Sequence, residues 1–60
     1  MTNHSPDREQ VERIEALRED AKALARTIIS YCVSSRERSL ALTNLEDALM
    51  WAVKSIVLEP

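Results

Sequence analysis

No glycine occurs among the sixty residues, and the two prolines stand at positions 6 and 60, so nothing between them breaks a helix. That points to an all-α chain. Cys32 is the single cysteine and His4 the single histidine, which excludes an internal disulfide and leaves no Cys/His set from which one chain could build a zinc site. A lone thiol suits the reducing cytoplasm. Positive charge is not in excess either: eight basic against ten acidic residues give a net charge of −2. The broad basic footprint of a duplex DNA or RNA binder is therefore missing, although a few local cations can still serve a small anion. The longest apolar run, Ala48 to Val53, is far short of the roughly 20 residues that cross a membrane. The start of the chain lacks a basic-then-apolar leader. These absences lead us to expect a soluble, cytoplasmic protein. No serine, threonine or cysteine has a well-placed histidine, and the acids are scattered, so the chain is not expected to be an enzyme.

Sixty residues make one small domain, 1–60, and a monomer of this size buries only about 60% of the surface of its unfolded chain. Disulfides, a metal or self-association normally supply the missing stability. With the first two excluded, self-association is expected.

What is present reads as two helices. Residues 1–5 are polar and aperiodic and are expected to be a disordered start. Ser5-Pro6-Asp7 then has the order of a helix onset, with a serine cap, a proline at the first helical position and an acid facing the positive dipole end. Val11, Ile14, Leu17, Ala21, Leu24 or Ala25, Ile28 and Tyr31 or Cys32 continue as one apolar stripe, giving a helix over about 6–33. The other side carries mixed charge, with Glu9/Arg13 spaced i,i+4 and Glu15/Arg18 and Glu19/Lys22 spaced i,i+3, the pattern of a solvated face.

A second helix, about 35–58, opens on Ser34-x-x-Glu37, which has the form of a capping box. From Leu40 to Leu58 its apolar residues exceed what one face can hold. The short connection makes the two helices an antiparallel hairpin. The surplus apolar surface makes the hairpin a unit of a symmetric homo-oligomer.

Several side chains admit two readings. Arg36 and Arg38 fall in the first turn of the second helix, where the dipole disfavours cations. They could gather an anion together with the free N–H groups of the helix start, or pair with Glu37 or with another subunit's acids. Ser39 and Thr43, four apart and in line with Arg36, could donate to a ligand or bond back to the i−4 carbonyl. Asn44 reads as solvated. Lys54 could offset the negative end of the second helix or face a phosphate bound between chains. Trp51 and Tyr31 could stack on a base or pack against apolar neighbours, and packing suits Trp51 better. His4 alone is insufficient as a metal site.

The residues Arg36, Ser39, Ala41, Thr43, Leu45, Glu46, Ala48, Met50, Trp51 and Ala52 form a pattern that resembles the helical-hairpin domain of phage-encoded sponge proteins. Those proteins sequester cyclic nucleotides made by anti-phage defences of the CBASS and Thoeris types. The resemblance covers about residues 35 to 57. It implies binding without turnover in the cytoplasm of the infected host, no cofactor, and a homo-oligomer, namely a hexamer. It further implies cyclic dinucleotides at two-fold clefts and cyclic trinucleotides at three-fold sites, where identical chains offer identical cations to identical phosphates. By position in the pattern, Arg36, Thr43 and Lys54 would contact phosphate or base, with Ser39 and Arg38 as companions. Lys54 stands where some relatives have arginine, which keeps the charge and loses the bidentate fork. The rival reading is a small dimeric four-helix bundle that binds RNA or a partner protein through the charged first helix. The near-balanced charge of that helix weighs against it.

Overall fold

The computed structural model describes residues 7–60. Its elements are two helices, α1 (Arg8–Tyr31) and α2 (Arg36–Val57), with no strand among the described residues. His4, Ser5, Pro6 and the expected disordered start lie outside these residues.

Asp7 starts α1. Its backbone is extended, its Oδ1 accepts the Gln10 N–H at 2.8 Å, and its own N–H donates to Gln10 Oε1 at 2.9 Å. This is a reciprocal capping box, so Asp7 is the cap rather than an acid inside the first turn. At its other end α1 stops at Tyr31, two residues before the expected limit, because Cys32 turns extended at φ −111°, ψ 135°. The second cap also differs from expectation by one residue. Ser35, with Oγ accepting the Arg38 N–H at 3.1 Å, starts α2 in place of Ser34. With the cap moved, Glu37 falls one residue short of the position that reaches back to the cap N–H, and no reciprocal bond forms.

The helices run antiparallel, as their end contacts show. Gln10 and Arg13 at the start of α1 meet Ile56 and Glu59 at the end of α2. Arg38 at the start of α2 meets Ile29 and Cys32 at the end of α1. Residues 32–35 make the connection.

The hairpin is about one helix thick, with extents of 48 × 18 × 12 Å. A single layer of two helices can bury only the seam between them. Of the apolar side chains, Ile14 and Ile56 are buried, while Leu17, Ala21, Ile28, Leu42, Leu45 and Leu49 are half-buried along that seam. Leu24, Met50 and Trp51 remain 49%, 51% and 60% exposed. Apolar residues make up 45% of the chain, yet Ile14 and Ile56 are the only buried apolar side chains among the described residues. No described helix is long and apolar enough to cross a membrane.

Candidate ligand-binding face of the second helix

Arg36, Ser39 and Thr43 follow one another at i, i+3 and i+7, which puts them on one face within about 10 Å along the axis. All three are exposed. The two hydroxyls do not bond back to the i−4 carbonyl, a bond that Thr27 of α1 does make to Ala23 at 3.1 Å. Arg36 forms no ion pair or hydrogen bond among the described residues, and the adjacent Glu37 does not take it. The reason is in the spacing. Ser39 and Leu40 are its neighbours one turn on, whereas Arg13 and Lys22 of α1, which do form ion pairs, each have an acid three or four residues away. A guanidinium with no acid three or four residues away, at the positive end of a helix, has the chemistry to meet an anion.

Thr43 also rims a groove of about 480 Å³ along the seam, floored by Ala21, Ala25, Leu42, Leu45 and Leu49. Arg18, Lys22 and Glu46 stand at its edges. A second groove of about 250 Å³, bounded by Leu17, Leu24, Ala48 and Ala52, lies on the other side of the seam. Both are apolar clefts.

Lys54 points the same way as Arg36, because eighteen residues make five turns, yet it lies about 27 Å further along the axis. One small ligand cannot touch both within a chain. The structure thus brings Arg36, Ser39 and Thr43 together and sets Lys54 apart. The Lys54 ammonium lies 5.1 Å from the centroid of the Trp51 ring. Trp51, expected to pack, is exposed in the single chain, as are Tyr31 and Asn44.

Arg38 serves the hairpin itself. Its Nη1 donates to the Cys32 carbonyl at 3.3 Å and the Ile29 carbonyl at 3.5 Å. The last turn of α1 carries no cation of its own, and Arg38 supplies one from across the connection.

Of the expected surface pairs, Glu9/Arg13 forms at 2.8 Å and Glu19/Lys22 at 3.4 Å, while Glu15/Arg18 does not form. Arg13 has a second partner. Its two terminal nitrogens donate to both Glu59 oxygens at 2.9 and 2.7 Å. Gln10, buried between the helices, donates Nε2 to the Ile56 carbonyl at 3.1 Å and to Glu59 at 3.3 Å. These bonds, Arg13's first and Gln10's second, lower the Glu59 carboxyl to about 2, and the Arg13 guanidinium is held still more firmly protonated. The spacing Asp7-x-x-Gln10 carried the signal for half of this clasp. Glu59 lies 46 residues from Arg13 and has no local signal.

Among the described residues no three of His, Cys, Asp and Glu are grouped as a metal site. A family model for the Acb2/Tad1 hairpin domain matches residues 1–57. The chain belongs to the Acb2/Tad1 hairpin family. This family is associated with an anti-defence sponge function, a role of binding rather than catalysis. The match takes in α1 as well as α2, so the whole hairpin is the family unit. No curated protein and no solved structure was found to match the chain.

Proposed function

We propose that this Acb2/Tad1 hairpin protein is a phage anti-defence sponge that takes up cyclic oligonucleotides of two or three nucleotides in the infected host's cytoplasm and holds them without cleavage, blocking CBASS-type immunity. The observation that carries the reading is Arg36, an uncompensated guanidinium in line with two unbonded hydroxyls, in a chain of a sponge family. Arg36 meets a phosphate, and Ser39 and Thr43 donate to phosphate or base. Lys54 serves a second locus about 27 Å away, where it meets the phosphate of a ligand held between chains. Arg38 keeps the connection closed beneath Arg36.

One helix face cannot enclose a ligand. The pocket is completed by copies of the chain in a homo-oligomer, a hexamer, that covers the exposed Leu24, Met50 and Trp51 edges. Identical chains about an axis then present the same cation to each phosphate of the ring.

Calorimetric titration with a panel of cyclic di- and trinucleotides tests the reading, followed by heat denaturation and chromatography of the released ligand. Uptake of at least one ring, recovered intact, is expected. Recovery of linear product would reveal an active site, and retention of RNA with no cyclic oligonucleotide bound would favour an RNA-binding hairpin.

A further inference from the structure

We infer that Trp51 is a positioning residue, whose indole face holds the Lys54 ammonium ready for a ligand phosphate. The inference rests on the proposed role of Lys54 and adds the device that makes a flexible lysine serve it. One turn to either side, Lys54 has Met50, Trp51, Val57 and Leu58 as neighbours, so no carboxylate of its own helix can take the charge. No ion pair holds it among the described residues. The ring, 5.1 Å away, is what it rests on.

A lysine has a long stem that must be immobilised when its ammonium meets a phosphate, and this ordering opposes binding. Resting on an indole face restricts the stem beforehand while leaving the cation unneutralised. A carboxylate partner would have restricted it too, but would have competed with the phosphate. The arrangement fits an anion site better than an ion pair would. It also gives Trp51 a reason to be aromatic and not merely apolar. An exposed cation on an aromatic face corresponds to about a two- to fivefold change in equilibrium. With two copies of Lys54 meeting one ring, the effect on ligand affinity is roughly four- to twenty-five-fold.

The test compares full-length parent, Trp51→Phe, Trp51→Leu and Lys54→Met proteins, and the double variant Trp51→Leu with Lys54→Met, by titration with whichever cyclic oligonucleotide the parent binds. Trp51→Leu keeps an apolar side chain and removes the aromatic face. It should weaken binding four- to twenty-five-fold, Trp51→Phe should weaken it less, and Trp51→Leu should add nothing once Lys54 is already methionine. A Trp51→Leu loss that persists undiminished in the Lys54→Met background overturns the inference, because the ring would then be touching the ligand directly. Leucine and phenylalanine variants that both bind like the parent overturn it as well, leaving the sponge reading intact. A parent that binds no cyclic oligonucleotide overturns both. Should Trp51→Leu fail to assemble, proton NMR of the parent decides. The Lys54 ε-methylene should be shifted upfield by the indole ring and should move on ligand addition, and an ordinary position for it would refute the contact.

Discussion

Gln10 is the side chain on which the open end of the hairpin most depends, and two substitutions separate its two jobs. In the native chain it closes the capping box with Asp7 at 2.9 Å and donates across the seam to the Ile56 carbonyl at 3.1 Å. Gln10→Ala removes both. Each lost neutral hydrogen bond destabilises by about 1 kcal/mol, the Ile56 carbonyl keeps the Glu59 N–H at 3.1 Å, and the longer Gln10 bond to the Glu59 carboxylate at 3.3 Å goes with the other two, so about 2–3 kcal/mol is expected. For a domain of this size each kcal/mol moves the melting temperature by about 4–8 °C, so a fall of roughly 8 to 24 °C should be seen by circular dichroism. Gln10→Glu is the sharper variant. Glutamate is a good capping-box residue, so the bond to the Asp7 N–H survives, but it has no N–H to offer Ile56 and sets a second carboxylate beside Glu59. It should therefore destabilise although the cap remains. Protein concentration must be equal throughout, since assembly contributes to the melting temperature. A Gln10→Glu protein as stable as the parent would refute the cross-helix role and leave Gln10 as a cap alone.

The Glu59 carboxyl, lowered from 4.5 to about 2, gives a pH dependence whose sign is fixed. Its contribution to stability is present above about 4.5 and is lost as pH falls toward 2, so an acid titration of the melting temperature should show the loss and Glu59→Gln should flatten it. The exposed Leu24, Met50 and Trp51 predict a mass above that of a dimer at micromolar concentration by light scattering, and a monomer mass would remove the basis for an enclosed pocket. Arg38→Ala, which strips the cation from the α1 carbonyls, should lower the melting temperature by several degrees, and an unchanged value would mean those bonds contribute nothing.

The two helices were legible because their signals are local. The stripe from Val11 to Ile28 and the lack of glycine and internal proline required helices, and the short connection required a hairpin. The caps were each misplaced, by one or two residues, because Ser5, Asp7, Ser34 and Ser35 are all competent to cap. At the first cap Gln10 reaches back to Asp7, whereas at the second Ser35 caps with no reciprocal partner, so no side chain further along the helix marks it. The strip of Arg36, Ser39 and Thr43 could be read from spacing alone. What spacing did not weigh was axial distance: Lys54 shares the direction of Arg36 but not its neighbourhood. The uses made of Arg38, Gln10 and Glu59 depend on which helix ends meet, and only the folded hairpin provides that.

The central claim is that the start of α2 binds a phosphate of a cyclic oligonucleotide, and Arg36→Ala tests it most directly. Hydrogen bonds to charged groups contribute about 1.5–3 kcal/mol each, and a symmetric pocket repeats the loss in every chain that faces the ligand. At about 1.4 kcal/mol per decade, titration of the variant with a cyclic trinucleotide should show affinity reduced by well over tenfold, with the mass by light scattering unchanged. An Arg36→Ala protein that binds every cyclic oligonucleotide as tightly as the parent, or that loses binding only because the oligomer comes apart, would contradict the assignment.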